Sequence, residues 1–241
     1  MQGKKVGVIG AMDSEVEALV AALHGRMQSQ FAGLTFYEGK IGGTRAVIVR
    51  SGIGKVCAAL CAQTLIDRFG VDALINTGVA GGLGKGLCVG DFVIGRSAVQ
   101  HDFDLTAFGY ARGYMGGDGG DASAPTVFCS DEDMIRRFRA AAEELDEEIH
   151  IVEGRIASGD VFVARKEVKE ELRERFQAAA AEMEGAAIAQ VAVGNGIPFV
   201  IVRAISDLAD GGAQVSFDEF ERHAANVSAQ IVSKMLENFG E

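Results

Sequence analysis

Carboxylates inside apolar stretches are the side chains of this sequence best suited to chemistry. Glu182 and Glu184 stand in the stretch AAAEMEGAAIAQ (residues 179–190), and Asp207 follows the hydrophobic run FVIVRAIS. An ionised group in such surroundings is costly unless it has a partner or a role. Buried acids at strand ends and helix starts are typical of proton-transfer chemistry on small polar ligands. Helix-start acids that interact with the macrodipole, and a capped strand end, would also explain each cluster taken alone.

A third acid, Glu15, follows the first apolar run, KKVGVIGA, at the start of a helical pattern. Taken alone it would be interpreted as a solvent-facing helix-start acid. However, open α/β sheets collect their ligand groups where strands end and helices begin. Glu15, Glu184 and Asp207 each occupy such a place, and together they favour one site for proton transfer.

Strands that alternate with helices must position these acids. A hairpin around Gly42 and Gly43 makes the sheet mixed rather than purely parallel. The sequence therefore predicts an α/β fold in a single domain over residues 1–241, with a central mixed twisted β-sheet flanked by helices. Strands are predicted over residues 4–11, 72–78, 91–104, 150–163 and 199–207, and helices over 13–25, 54–70, 131–145 (capped by Ser130), 166–176, 216–240 and the Ala-rich run that Glu182 and Glu184 open. Residues 109–129 are Gly-rich and are predicted to be irregular.

Composition narrows the function classes. A net charge of −11 disfavours nucleic acid and anionic membranes as partners. No apolar run approaches membrane-spanning length and no signal-peptide pattern opens the sequence, so a cytoplasmic protein is expected. The four cysteines lack metal spacing and the four histidines are scattered, so free thiols and no metal site are expected.

The Gly-rich segments do not match nucleotide-binding loops. GVIGAM lacks GxGxxG, and no hydroxyl residue follows Lys55 or Lys85, which excludes a Walker A loop. TGVAGGL at residues 77–83 has two interpretations. It is either a tight turn after a strand, or a backbone that a flat ligand approaches closely because Gly81 and Gly82 lack Cβ atoms.

Eight motifs in this order resemble the bacterial 5′-methylthioadenosine/S-adenosylhomocysteine nucleosidases, of the nucleoside phosphorylase-like superfamily. They are VIGAMDSEVEAL, SGIGKVCAAL, NTGVAGGL, HDFDLTAFGY, SGDVFV, EMEGAAIAQV, VRAISDLAD and SFDEF. The resemblance extends from about residue 4 to residue 236. It implies hydrolysis of methylthioadenosine and adenosylhomocysteine, with 5′-deoxyadenosine as a further substrate, by a homodimer that serves methionine salvage without a cofactor.

The resemblance also assigns roles to residues. Asp207 would be the general acid at adenine N7, Glu15 the general base for the attacking water, and Glu184 the carboxylate that holds the ribose hydroxyls. Substrate would be bound by Phe162 and Val163 at the base, Ala80 and Gly81 under it, Ser206 beside Asp207, Met183 at the ribose, Met12, Ile53 and Phe217 at the alkylthio group, and Leu105 and Phe108 in the partner's pocket.

The chemistry sets conditions on these acids. Asp207 must keep its proton near neutral pH, and burial would raise the pKa of such an acid, whereas Glu15 and Glu184 must stay ionised and so need hydrogen bonds or water. Val79 stands where many family members have Ser, so one hydrogen bond under the base would be missing. Three alternatives remain: a futalosine-type hydrolase, a purine nucleoside phosphorylase, which needs an Arg-rich phosphate site, and a non-catalytic nucleoside-binding protein.

Overall fold

The computed structural model describes residues 4–116, 120–145, 149–209 and 213–239, without the side chains of residues 213–219. The strands are Lys5–Gly10 (β1), His24–Phe31 (β2), Leu34–Ile41 (β3), Thr44–Arg50 (β4), Ala73–Gly82 (β5), Phe92–Gln100 (β6), Phe128–Cys129 (β7), Ile151–Ser158 (β8), Ala178–Glu182 (β9) and Phe199–Asp207 (β10). The helices are Asp13–Ala21 (α1), Lys55–Phe69 (α2), Glu132–Glu143 (α3), Lys166–Phe176 (α4), Gly185–Gly194 (α5) and Ala213–Glu237 (α6), with a 3₁₀ turn at Thr106–Phe108.

The strands form one mixed sheet in the order β2-β3-β4-β1-β5-β9-β8-β6-β10. Strand β7 pairs with β6, and β10 also pairs with β5, so five strands close into a ring. Strands β1, β4, β5 and β10 are parallel, whereas β3 and β4 form the predicted antiparallel hairpin. The predicted α/β fold with a mixed sheet flanked by helices is confirmed.

Helices cover both faces of the sheet. Helices α1, α3 and α6 contribute to one apolar core, and α2 and α5 to a second core on strands β1, β4, β5 and β10. All nine residues of β10 are buried, as expected for a central strand that is covered on both faces. Because β1, β5 and β10 run in parallel, their carboxyl ends lie at one edge of the sheet. Glu15, Glu184 and Asp207, the acids that the sequence places at strand ends or helix starts, lie at this edge.

Besides the two-residue strand β7, which lies within the segment 109–129 that was predicted to be irregular, two elements differ from the sequence-based prediction. Helix α1 ends at Ala21 rather than at Gly25, which lies in strand β2. The segment HGRMQSQF is polar and almost wholly exposed, so it has no alternating apolar pattern, and only its pairing with β3 makes it a strand. The second difference is β9. Its four alanines favour a helix, but pairing with β5 and β8 overrides that propensity, and the helix starts only at Gly185.

Several boundaries also move. Strand β5 continues to Gly82, so the TGVAGGL segment completes a strand instead of forming a turn. Asp131 rather than Ser130 caps α3, since its carboxylate accepts a hydrogen bond from the Met134 N–H. Helix α6 begins at Ala213, three residues before the predicted start. In the part of the chain that the structure describes, no helix is both long and apolar enough to cross a membrane.

Candidate active site

The carboxyl ends of β1, β5, β9 and β10 surround a cavity of about 540 Å³. This volume lies within the range of roughly 300–1,000 Å³ that is usual for small-molecule sites. Ten residues that the sequence analysis proposed line it, together with Ala11, Val79, Ala181 and Glu182: Met12, Glu15, Ile53, Ala80, Gly81, Phe162, Met183, Glu184, Ser206 and Asp207.

Glu15 turns back from the first turn of α1 into the cavity. Its Oε2 accepts hydrogen bonds from the N–H groups of Ala11, at 2.6 Å, and Met12, at 3.0 Å, and its Oε1 accepts one from Val79 at 3.1 Å. Burial raises the pKa of Glu15, while the charge of Arg203 and the three N–H groups oppose that rise. Its carboxylate is thus fixed in direction.

Gly78 makes room for the Glu15 carboxylate. A Cβ atom at position 78 would lie 2.5 Å from Oε1 of Glu15 and 2.9 Å from its Cδ. Such an approach is closer than real Cβ contacts allow. Glycine is therefore required where β5 passes the carboxylate.

Asp207 ends β10 and is almost completely buried. Its Oδ2 accepts a hydrogen bond from Ser206 Oγ at 3.0 Å, and its Oδ1 accepts one from the Ala209 N–H at 2.7 Å. A register shift in the pairing of β10 with β5 lies between Ile205 and Asp207. A bulge of this kind redirects a side chain at a strand end, here toward the cavity.

The lining residue Glu182 forms a buried ion pair with Arg203, which is not itself part of the lining. The guanidinium of Arg203 also donates to Oδ1 of Asn76, at 2.5 Å, and to the Asn76 carbonyl, at 3.2 Å. Oε1 of Glu182 accepts a hydrogen bond from Ser158, and Oε2 accepts one from the Gly185 N–H at 2.8 Å. One ion pair thus joins the ends of β8 and β9 to the middle of β10 and to Asn76 of β5.

Glu184 stands directly before α5 and is buried. Its Oε1 accepts a hydrogen bond from the Gly54 N–H at 2.8 Å. Burial and the charge of Glu182 raise the pKa of Glu184 to about 7, against the opposing effects of Arg203 and the Gly54 N–H. Glu15 and Glu184 have the hydrogen bonds that were expected, but their pKa values lie above the usual range for glutamate.

The ionisable groups of the described cavity lining are all carboxylic acids. Glu15, Glu182, Glu184 and Asp207 contribute carboxyl groups, and none of the described lining residues is Lys, Arg or His. Residues 210–219, whose side chains are not described, contain no Lys, Arg or His either. The remainder of the lining is largely apolar, with Met12, Ile53, Phe162 and Met183 among its larger side chains. This arrangement suits a neutral or cationic ligand with one apolar end.

Comparisons with known proteins show to which family the chain is similar. A model of the Phosphorylase superfamily matches residues 5–237. The chain is 42% identical over 238 residues to a 5′-methylthioadenosine/S-adenosylhomocysteine nucleosidase from Chromohalobacter salexigens, with 98% of each chain covered. The crystal structure of the nucleosidase of that name from Neisseria meningitidis, in complex with methylthio-immucillin-A, matches with a TM-score of 0.90 and 45% identity, covering 97% of this chain and 99% of that one.

The chain belongs to the 5′-methylthioadenosine/S-adenosylhomocysteine nucleosidase family, within the phosphorylase superfamily. The chain is also similar to an enzyme with a different name. A mutant of futalosine hydrolase from Helicobacter pylori matches with a TM-score of 0.88 and 34% identity, over 96% of this chain and 98% of that one.

Four of the residues proposed from the nucleosidase motifs lie outside the cavity lining or the described side chains. Leu105, which is half-buried, stands directly before the 3₁₀ turn, so its role in a partner's pocket stays a prediction. Val163 is buried and lines a small adjoining space next to Phe162 and Asp207. Phe108 is 76% exposed on the 3₁₀ turn, so its role in a partner's pocket stays a prediction. The side chain of Phe217 lies outside the described residues.

Sequence reasoning did not find the groups that support the three acids. Arg203 precedes Asp207 by four residues in the sequence, but its partner, Glu182, could not be deduced because 21 residues separate Glu182 from Arg203. Gly54 and Gly78 act through a backbone N–H and through a missing Cβ, respectively. The glycines of SGIGKV and NTGVAGGL were the available signal for both.

Glu184 makes stability fall as the pH rises. The folded carboxyl holds its proton up to about pH 7, whereas an ordinary glutamate releases it near 4.5, so the folded state binds more protons between these values. The free energy of unfolding of the wild type should therefore decrease relative to that of Glu184→Gln, by up to about 3 kcal/mol between about pH 5 and about pH 8. Urea unfolding of both proteins at one concentration measures this difference. A difference that does not change with pH would contradict it.

Proposed function

We propose that the protein hydrolyses the N-glycosidic bond of 5′-methylthioadenosine and S-adenosylhomocysteine, and of 5′-deoxyadenosine, to adenine and the corresponding ribose. Relatives of that name at 42% and 44% identity support the substrate class. The 540 Å³ cavity with an apolar side supports a nucleoside that carries an alkylthio group. The protein would act in the cytoplasm, in methionine salvage.

The first step breaks the bond between C1′ and the purine. The electron pair of that bond leaves with adenine, and a proton from Asp207 to N7 neutralises the departing base. The ribosyl group becomes cation-like, as in the hydrolysis of other glycosides. Ser206 and the Ala209 N–H hold the two oxygens of Asp207, which supports a fixed direction of proton transfer.

The second step adds water to C1′. Glu15 would orient the water and take its proton, and Glu184 would hold the ribose hydroxyls close to the developing positive charge. Both carboxylates accept backbone hydrogen bonds that keep them in place. Electrostatic stabilisation by groups that are already oriented costs no reorganisation during the reaction.

Hydrolysis is favoured over phosphorolysis because the ionisable side chains of the described cavity lining are acidic. A phosphate dianion needs cationic or N–H donors, and Arg is the residue best suited to bind it. The described lining has four acids and no cation, and Arg203, which is not part of it, is paired with Glu182. Like charges repel, so water rather than phosphate is the nucleophile that fits.

Adenine release measures this choice. The wild type should release adenine from methylthioadenosine and from adenosylhomocysteine at the same rate with and without added phosphate, because the described lining has no cationic side chain to hold the anion. The products distinguish the two reactions, since phosphorolysis would leave ribose 1-phosphate derivatives. A strict requirement for phosphate would overturn the proposal.

A second substrate class has a specific observation in its favour. The similar structure from Helicobacter pylori is named a futalosine hydrolase. Because that chemistry breaks the same type of bond, the same three acids would serve it. The rates of base release from futalosine and from methylthioadenosine are compared in the same assay. The comparison shows whether hydrolysis of futalosine is the main activity or an added one.

Removal of either proton-transfer group should slow turnover strongly. We expect Asp207→Asn and Glu15→Gln each to lower kcat by about 10²–10⁴-fold, the usual effect of losing a general acid or base. Both changes keep the shape of the side chain, so adenine should still bind. Glu17→Gln, on the exposed side of the same helix as Glu15, is the matched control and should retain activity. Wild-type rates in either variant would remove that residue from its role.

The assembly is proposed to be a homodimer. Large apolar side chains are exposed on three segments: Ile53, Val56 and Leu60 at or just before the start of α2, Val161 in the loop after β8, and Phe108 on the 3₁₀ turn. Lys55 donates hydrogen bonds to Asp102 and to Asp160, which hold the loops that follow β6 and β8 against the start of α2. If these side chains form one apolar patch, such a patch is typical of an interface.

Sedimentation equilibrium at micromolar concentration should give twice the mass of the chain, and a monomer with full activity would refute the proposal.

A further inference from the structure

The start of α2 offers two consecutive N–H groups to two different acids. The Gly54 N–H donates to Oε1 of Glu184 at 2.8 Å, and the Lys55 N–H donates to Oδ1 of Asp160 at 2.8 Å. Gly54 is the N-cap residue and has no side chain with which to cap the helix. Asp160 therefore caps α2 from a distant loop and leaves the neighbouring N–H for Glu184.

Asp160 is itself held in place from two sides. Its N–H donates to Oδ2 of Asp102 at 2.9 Å, and Oδ1 of Asp102 accepts a hydrogen bond from Lys55 Nζ at 2.6 Å. Lys55 Nζ also donates to Oε1 of Gln100 at 3.1 Å. Asp160, Lys55 and Asp102 thus form a closed ring of hydrogen bonds, which we name the Asp160 clamp.

The glycine at position 54 permits this close approach. Its φ of +98° is a conformation that side chains with a Cβ rarely adopt. A Cβ atom there would also lie 3.0 Å from Oδ1 of Asp160. The helix start and the Asp160 carboxylate are therefore in direct contact, so a displacement of one moves the other.

The clamp connects two residues that line the cavity, Phe162 and Glu184. Asp160 precedes Phe162 by two residues, and Phe162 lines the cavity where the base is proposed to bind. Gly54 holds Glu184, which is proposed to bind the ribose. We infer that Asp160 is a positioning residue, which fixes the Glu184 carboxylate relative to the Phe162 ring and so aligns the glycosidic bond. The inference rests on the proposed function, and it assigns to Asp160 no contact with substrate.

Kinetics of two substitutions test the clamp. Asp160→Ala removes the acceptor for the Lys55 N–H, and kcat for methylthioadenosine should fall at least about tenfold while KM changes less than about threefold, because small misplacements of reacting groups slow the chemical step. Asp160→Asn keeps an oxygen acceptor at the same place, so its kcat should lie within about threefold of the wild type.

The matched control is Asp131→Ala. Asp131 caps α3 through the Met134 N–H, so its loss should lower the melting temperature as the loss of Asp160 does, with kcat unchanged. Four results would each overturn the proposal: wild-type kcat in Asp160→Ala, an equal loss in Asp160→Asn, an equal loss of kcat in Asp131→Ala, or a loss in Asp160→Ala that comes only from dissociation of the assembly.

An activity-independent measurement separates the clamp from the proposed function. Amide hydrogen exchange at Gly54 and Lys55, without substrate, should be faster in Asp160→Ala and unchanged in Asp131→Ala. If the wild type released no base from any nucleoside tested, the proposed function would fail while the exchange rates still reported on the clamp. Unchanged exchange in Asp160→Ala would overturn the clamp whatever the activity.

Discussion

The site depends on one buried ion pair, between Arg203 and Glu182. Both side chains are almost fully buried, and removal of one partner from such a pair costs on the order of 3–5 kcal/mol because the other charge is left uncompensated. Arg203 precedes Asp207 by four residues on β10, and Glu182 precedes Glu184 by two. The pair, with Asn76 of β5 bonded to Arg203, therefore holds the segments that carry two of the three proposed catalytic acids in a fixed relation.

The same pair sets the charge of the cavity. Four carboxyl groups lie close together, and Arg203 lowers the pKa of Glu15 and Glu184 against the burial that raises both. Backbone N–H groups supply the remaining stabilisation, through Ala11, Val79 and Gly54. A cation-like ribosyl group is stabilised by such a lining, and a phosphate dianion is repelled by it. Nucleophile choice and transition-state stabilisation thus follow from one arrangement of charge.

Much of this was predictable from the sequence. Glu15, Glu184 and Asp207 were visible because each interrupts an apolar run, and the Gly42-Gly43 turn showed that the sheet is mixed. Strand β2 was not predictable because its polar residues have no pattern, nor was β9, whose alanines favour a helix. The Arg203–Glu182 pair and the Asp160 clamp link residues far apart along the chain, and only the pairing of strands brings them together. Local patterns cannot report such contacts.

We conclude that burial raises the pKa of Glu184, that the charge of Glu182 raises it further and that Arg203 lowers it. Carbon-13 NMR titration of the Glu184 side-chain carboxyl, in the wild type and in Glu182→Gln, tests it most directly. The variant keeps the shape of the side chain and an oxygen acceptor for Arg203, but it removes the negative charge. A pKa of about 7 for Glu184 is expected in the wild type. A lower pKa is expected in the variant, where Glu182 no longer repels and Arg203 has lost its counter-charge. An unchanged or higher pKa in Glu182→Gln would contradict the account.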